Sequence, residues 1–454
     1  MSDMKLTRRA FLAATTTTAM LTAAGCATKT NTAKVVPGKV SPNQKLNIAA
    51  IGAGGKGWSD INGCSKTENI VALCDPDAKN AAEAFFKIKD AKQYSDYRVM
   101  LEEMKDIDAC TISTPDHTHA PAAYMAMKLG KHVYVQKPLT HTVAEARLLR
   151  DTAREMKVIT QMGNQGRSGD GARELCEFIW SGALGDVTDV HTWTNRPIWP
   201  QGIPAALPEQ AIPDTMKWDT WIGTAPVRPF NEKYAPFNWR GWWDFGCGAL
   251  GDMACHIMDP AFWALKLADA DYFEVELVQQ DGKNDQTAPN SSIIKYTFPA
   301  RADMGPVTLT WYDGKILPKH PEGVPADQKI GDGENGSLFY GTKAIGTSGT
   351  YGGESRLLPD GLMKDFKRPA PSIERVPGED HYVDWLDAIK GNKAAACSNF
   401  DVAGPFTEMV DFGNVALRTG EKVKYDFKTG KIMNANIPQS ILTKEYRKGW
   451  ELPC

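Results

Sequence analysis

The stretch LNIAAIGAGGKG, Leu46–Gly57, decides the fold. Its first six residues are mostly apolar and end at a glycine, which reads as a short buried strand running into a turn. Gly52, Gly54 and Gly57 then fall at G-x-G-x-x-G spacing, and a helix-compatible segment follows. A second apolar run, Ile70–Cys74, ends in Asp75. Strand, glycine turn, helix, strand and acid therefore come in the order that a dinucleotide site requires. Gly52 permits the tight turn, Gly54 lets backbone approach a pyrophosphate, and Gly57 allows the helix to pack closely. With Ala53 they bring the unpaired N–H groups of a helix N-terminus to the phosphates. Asp75 can accept from a ribose 2′-hydroxyl and repels a 2′-phosphate, so NAD is expected over NADP, with Lys56 softening that preference.

Outward from this unit the alternation continues. Helices are expected over Asp77–Lys89, Tyr97–Lys105, Pro121–Leu129 and Thr142–Met156. Strands are expected over Asp108–Ser113, His132–Val135 and Val158–Met162. Such alternation implies a doubly wound parallel sheet with ligands at the carboxyl ends of the strands. The polar clusters Thr114–His119, Gln136–Pro138 and Gly163–Gln165 all fall at such ends and converge on one crevice. His117 and His119 have no Cys or carboxylate partner at ligand spacing, so no metal is expected.

Upstream, Arg8-Arg9 precede Phe11-Leu12, a Thr-diluted apolar stretch and Ala23-Ala24-Gly25-Cys26. The segment is too short and polar for a membrane span and is similar to a twin-arginine (Tat) export signal. The small residues before Cys26 resemble a lipobox. Two outcomes stay open: acylation of Cys26, which would anchor the chain to a membrane by lipid alone, or cleavage near Ala27 to give a free periplasmic protein. The expected organisation is a signal over 1–26, a linker over 27–44, a dinucleotide-binding domain over 45–165 and a substrate-binding α/β domain over 166–454. A chain folded before export can carry a bound cofactor outward, but each cycle must then restore it in place.

Composition sets bounds. At 454 residues, with 42% hydrophobic and 24% charged content, the chain is an ordinary globular protein of at least two domains. A formal net charge of -3 excludes a broad phosphate-tracking surface, and no nucleic-acid partner is expected. The nine cysteines include no Cys-x-x-Cys pair, so buried thiols are expected. Tryptophans cluster between Trp193 and Trp263, as sugar-stacking faces or as core.

Together, the glycine fingerprint, STPDHTHA (113–120), VYVQKPLTHT (133–142) and GALGDMACH (248–256) resemble the Gfo/Idh/MocA oxidoreductase family. That resemblance covers nearly everything from Leu46 onward. WRGWWDFGCGALGDMACHIMD (239–259) is similar to members that carry Tat signals. It implies an N-terminal Rossmann domain and a C-terminal α/β domain with an open, mostly antiparallel sheet, whose face suggests a homo-oligomer. It also implies that Thr114, Pro115 and His119 surround the nicotinamide half of the cofactor and that Lys137 is catalytic; Gln136 and Asn164, at strand ends on the same crevice, are expected as further cofactor contacts. One departure stands out: the family reads Glu-Lys-Pro where this chain has Gln136-Lys137-Pro138. Loss of that carboxylate is expected to make the Lys137 ammonium less favoured.

Beyond Gly166 a helix over Gly171–Trp180 and a strand over Val187–Trp193 precede a long Pro- and Trp-rich passage, 196–237, expected to be a functional loop or lid. Strands are expected over Tyr272–Val278, Ser292–Phe298 and Pro306–Tyr312, and helices over Ala249–Leu267, His381–Lys390 and Asp401–Arg418. On the Ala249–Leu267 helix, Asp252, His256 and Asp259 share a face. An imidazole titrating near neutrality, oriented by Asp252, can accept the proton of a sugar hydroxyl. With the family resemblance, His256 is expected as general base, Asp252 as its partner and Lys137 as the stabiliser of the alkoxide. Gln165, Arg167, Trp239, Arg240, Trp311, Tyr312 and His381 are candidate substrate contacts, each with a structural alternative.

The function expected is oxidation of a sugar, glycoside or polyol hydroxyl, with C3 of a glycoside as one candidate carbon and a tightly held NAD recycled by a second substrate. Two alternatives are an NAD-dependent glycosidase or lyase that oxidises transiently and eliminates, and a non-catalytic sugar-binding lipoprotein.

Overall fold

A computed structural model describes Ser41 and residues 43–454. The export signal, Cys26 and most of the 27–44 linker lie outside the described residues. Among the described residues no helix is long and apolar enough to cross a membrane.

The first half alternates β1 (Asn47–Ile51), α1 (Lys56–Ser65), β2 (Asn69–Cys74), α2 (Ala82–Lys87), β3 (Lys92–Tyr94), α3 (Tyr97–Glu103) and β4 (Ala109–Ile112). It continues with α4 (His119–Lys128), β5 (His132–Val135), α5 (Val143–Met156) and β6 (Thr160–Met162). The six strands form one sheet in the order β3-β2-β1-β4-β5-β6, with every pair parallel. The order reverses between β1 and β4, so the crevice opens where the Gly52–Gly57 and Ser113–Asp116 turns leave the sheet. β4 and β5 are buried throughout, as strands covered on both faces must be. Local signals set the helix ends: the Thr142 hydroxyl accepts from the Glu145 N–H at the start of α5, which stops at Lys157 in the left-handed region.

The second half contains α6 (Asp170–Trp180), β7 (Val187–Trp193), α7 (Trp218–Ile222), α8 (Gly248–Ala264), β8 (Tyr272–Asp281), β9 (Ser291–Phe298) and β10 (Val307–Tyr312). There follow β11 (Gly336–Gly341), β12 (Ile345–Ser348), β13 (Arg356–Leu358), α9 (His381–Ile389), α10 (Phe400–Thr419), β14 (Val423–Asp426), β15 (Lys431–Ile432) and α11 (Gln439–Leu442). Nine strands form a second sheet, β13-β12-β11-β7-β10-β9-β8-β14-β15, antiparallel except at β7–β10. β9 alternates buried and half-buried residues along its length, the pattern of a sheet packed on one face. The packed face receives α8 and α10, where Phe262 meets Phe406 and Phe273 meets Phe412.

Two features depart from the sequence expectation. The segment from 166 onward is not confined to the second sheet: Trp385, Leu386 and Ile389 of α9 join Leu46, Ile48 and Tyr134 in one apolar cluster against the first. The Trp-rich passage is chiefly a satellite core, in which Trp218, Trp221, Phe230, Tyr234, Trp242 and Phe245 bury one another.

Candidate active site

One cavity of about 450 Å³ runs from the glycine turn to α8. At its outer end Gly52 has φ +86°, and a Cβ there would lie 2.5 Å from the Ser113 carbonyl oxygen. A Cβ on Gly57 would lie 2.0 Å from the Gly52 carbonyl oxygen, so α1 rests on the turn itself. The Ala53 and Gly54 N–H groups donate to Asp75 Oδ2 at 3.0 and 3.2 Å, and the Asp77 N–H donates to Oδ1 at 2.9 Å. Burial pushes the Asp75 carboxyl up to about 6, while those N–H groups pull the other way. No side chain caps α1 at Gly55; the Gly57 N–H turns back to the Gly54 carbonyl at 2.9 Å, and the other N–H groups of the first turn can meet an anion. At the other end of the same wall the Thr114 hydroxyl is buried without a partner. A glycine cradle, an uncapped helix N-terminus, a strand-end acid and an orphaned hydroxyl fit a dinucleotide. Lys56, expected to soften the choice between NAD and NADP, is committed elsewhere: its ammonium donates to Asp60 Oδ1 at 2.7 Å and to the Tyr382 hydroxyl at 3.1 Å.

Asp60, fully buried on α1, explains the unusual Gln136. Its carboxylate also accepts from Ser113 Oγ at 2.6 Å, from the Tyr382 hydroxyl at 2.7 Å and from Gln136 Nε2 at 2.9 and 3.1 Å. A glutamate at 136 would set two carboxylates side by side away from water, whereas an amide donates.

At the inner end, Lys137 Nζ donates to Asp252 Oδ1 at 2.7 Å and to the Asp252 carbonyl oxygen at 2.8 Å. Arg240 Nε reaches the same Oδ1 at 3.3 Å. Burial works against the Asp252 charge, but Lys137 and Arg240 outweigh it and hold the carboxyl down at about 2. Asp252 thus supplies from α8 the carboxylate that Gln136 lacks, and it pairs with Lys137 rather than acting as the hydrogen-bonded partner of His256. His256 lines the cavity, yet its Nδ1 is buried without a partner. Burial, reinforced by the Lys137 charge, pushes its imidazole down to about 3, so it does not titrate near neutrality. The ring is neutral, and Nε2 is the nitrogen left to meet a ligand. A residue that the sequence reading passed over joins them: Asp116 lines the cavity, accepts from the Cys247 N–H at 3.0 Å, and is raised by burial to about 7 against the pull of Arg240 and Lys137. Its signal was the Asp of STPDHTHA, one position beyond Pro115.

The other expected residues divide. Gly52, Gly54, Asp75, Thr114, Pro115, Gln136, Gln165, Trp239 and Arg240 line the cavity with Lys137, Asp252 and His256. His119 does not. Its ring lies between the carbonyls of Pro138 at 2.8 Å and Thr114 at 2.9 Å, tying together the two turns that carry Thr114 and Lys137. Arg167 and Asn164 both donate to Asp259, at 2.6 and 3.1 Å, beneath the cavity wall. Trp311 is core, its indole N–H donating to Asp313. Tyr312 stacks on His191 of the second sheet and donates to or accepts from that ring at 2.7 Å. His381 is buried under β6, on the Met162 carbonyl and Ser168 Oγ. His381, Asp384 and Cys397 have ligand atoms within 4.8 Å of one another, but the Asp384 carboxylate is already held by Lys393, Gln161 and the Cys397 N–H.

A Rossmann domain whose phosphate turn and Lys-Pro turn face a helix of an open-sheet domain defines a class of nicotinamide-dependent oxidoreductases. Residues 46–164 match the oxidoreductase family with the NAD-binding Rossmann fold, and residues 185–305 match that family's C-terminal alpha/beta domain. Together the matches span more than half of the chain, which belongs to the Gfo/Idh/MocA oxidoreductase family. Among curated relatives, levoglucosan dehydrogenase of Pseudarthrobacter phenanthrenivorans is 25% identical over 236 residues, 48% of this chain and 50% of the relative. A glycosyl hydrolase family 109 protein of Shewanella is 35% identical over 167 residues, 32% of this chain and 36% of the relative. The chain spans about half the length of the first curated relatives it matches. The WlbA dehydrogenase of Bordetella pertussis, in complex with NADH and UDP-GlcNAcA, shares the fold with a TM-score of 0.58 at 15% identity, over 84% of this chain and 98% of that one.

Proposed function

We propose that this protein oxidises a hydroxyl of a sugar, glycoside or polyol, with NAD held in the cavity and restored by a second substrate. The observation that carries this reading is the meeting of Lys137, Asp252 and His256 at the inner end of the cavity whose outer end is the glycine turn and Asp75. The glycine turn and α1 would hold the pyrophosphate and Asp75 a ribose hydroxyl. NAD, when bound, supplies the acceptor for the hydride that leaves the carbinol carbon. The neutral His256 ring accepts the hydroxyl proton at Nε2. Two of the three Lys137 N–H groups are fixed on Asp252, and the third is free to donate to the alkoxide as its charge develops. Trp221, Phe237 and Trp239 give this end an apolar wall suited to a sugar face.

The twin-arginine pattern supports export of the folded protein with its cofactor inside, to the periplasm or to a membrane through Cys26. Exchange with a cytoplasmic pool is then closed, which is why a second substrate is needed.

The test is direct. Purified protein is denatured and the released dinucleotide identified; native protein is then screened with glycosides and polyols for reduced-nicotinamide absorbance. Bound NAD that is reduced by one sugar and reoxidised by another is the expected result, and protein that neither carries nor takes up NAD would overturn the reading. A second reading, elimination of a glycosidic group with no net redox change, draws on Asp116, a buried carboxyl raised to about 7 that can protonate a leaving group. Release of aglycone in the same screen identifies it.

A further inference from the structure

Asp252 is occupied by Lys137 and Arg240, and Nδ1 of His256 has no hydrogen-bond partner. No polar contact therefore fixes the ring whose Nε2 faces the cavity. The group packed against it is Tyr351, with ring centroids 5.0 Å apart and planes at 75°.

Tyr351 is anomalous on its own terms. Its backbone lies at φ 66°, ψ 13°, a region that a bulky aromatic residue seldom occupies, whereas Gly352 beside it adopts φ 77° at little cost. Strain of this kind persists only where the surroundings over-determine it, and here they do. The Thr350 N–H and hydroxyl both donate to Asp332 Oδ2, at 3.0 and 2.6 Å, and the Gly349 N–H donates to the Gly353 carbonyl at 2.8 Å. The loop presses onto the start of α6 so closely that a Cβ on Gly171 would lie 2.8 Å from Gly353 Cα. Gly166 leaves room for the ring, since a Cβ there would lie 2.7 Å from Tyr351 Cδ1. The phenol oxygen accepts from the Gln165 side-chain amide at 3.3 Å, and Lys137 and Asp252 are among the charges acting on it. The loop thus spends backbone strain to hold one aromatic ring against His256.

We propose that Tyr351 is a positioning residue: its edge contact fixes the orientation of His256, the task that a carboxylate performs where one is hydrogen-bonded to such a ring. The proposal rests on the reading of His256 as general base. Glycine accepts φ near 66° without strain, so Tyr351→Gly removes the ring while leaving the loop free to form. Tyr351→Phe keeps the ring and loses only the hydroxyl.

Crystal structures of both variants and the wild type, with bound NAD, are compared with their turnover. The expected result is a rotated or multiply oriented His256 ring in Tyr351→Gly, with kcat lowered roughly 10- to 100-fold and KM changed much less. In Tyr351→Phe the ring stays in place and kcat is largely kept. A ring unmoved in Tyr351→Gly overturns the proposal whatever the rate, and so does a moved ring with unchanged kcat. If the wild type oxidises nothing in the glycoside panel, the functional reading fails, while the ring's position in the two variants still decides whether Tyr351 orients His256.

Discussion

Lys137 and Asp252 meet twice: one ammonium donates to both the carboxylate and the main-chain carbonyl of a single residue on α8. The double contact crosses from the Rossmann sheet to the helix carrying His256, so it sets the distance between the ammonium and the imidazole of the proposed site. Lys137→Ala removes both the donor to the alkoxide and this tie. Reduction of bound NAD by substrate should slow by about 10²–10⁴-fold in single-turnover absorbance measurements. Lys137→Arg should not restore it, because a planar fork cannot reproduce two convergent bonds and leave a third donor aimed at substrate.

Gln136→Glu should destabilise the fold by roughly 2–4 kcal/mol at neutral pH, because it buries a second carboxylate against Asp60. The double variant Gln136→Glu with Asp60→Asn should recover most of that loss, since the pair then keeps one charge and one amide. Thermal melts of the four proteins close the cycle, and a single variant as stable as wild type would remove Asp60 as the reason for glutamine.

Gly57→Ala places a methyl group where the Gly52 carbonyl oxygen already lies, 2.0 Å away, so turn and helix must part. The expected product is folded protein with little or no bound dinucleotide, measured as NAD released per chain on denaturation. Gly361→Ala, in open space and without a positive φ, should keep its full complement.

Stability should depend on pH through groups that shift in opposite directions. Burial pushes His117 and His256 down to about 3 and His119, His132 and His381 down to about 4, from an ordinary 6.5. Their folded values lie below the unfolded ones, so the stability they carry is full above about pH 6.5 and is lost as pH falls toward 4 and 3. Asp116, at about 7, and Asp75 and Asp313, at about 6, are raised by burial from 3.8. Their contribution is full below 3.8 and is lost as pH rises through 6 to 7. Glu177, held down at about 2 by Arg375, and Asp252, held down at about 2 by Lys137 and Arg240 against the cost of burial, carry stability that is likewise lost on acidification, and the melting temperature should fall below about pH 6. Asp116→Asn should raise the melting temperature more at about pH 8 than at about pH 5.

Much of the fold was legible because its signals are local. The Gly52–Gly57 spacing, the acid at Asp75 and the alternation through Met162 each follow from backbone sterics and burial, and β5 and β7 coincide with the strands expected. β3 was missed because Lys92–Tyr94 is short, polar and largely exposed, β11–β13 because they carry little period-two pattern, and β14 and β15 because four and two residues are too few for an alternation to stand out. Within the site, Lys137, Asp252 and His256 could be found from motif and helix spacing, but their pairing could not. Whether Asp252 faces His256 or Lys137 depends on how two domains meet, and no local rule contains that. Tyr351 and Asp60 were invisible for the same reason: each matters through residues far away in the chain.

The return of α9 to the first sheet bears on how tightly a ligand is kept. Tyr382 of that helix bonds Asp60 beneath the glycine turn, and Lys390 bonds Glu68 just beyond α1. The chain leaves the Rossmann domain, builds the other half of the cleft, and comes back to fasten the first half from behind. Rotating one half away from the other would pull this strap against the sheet it covers, so any opening of the cleft works against the Tyr382–Asp60 and Lys390–Glu68 contacts.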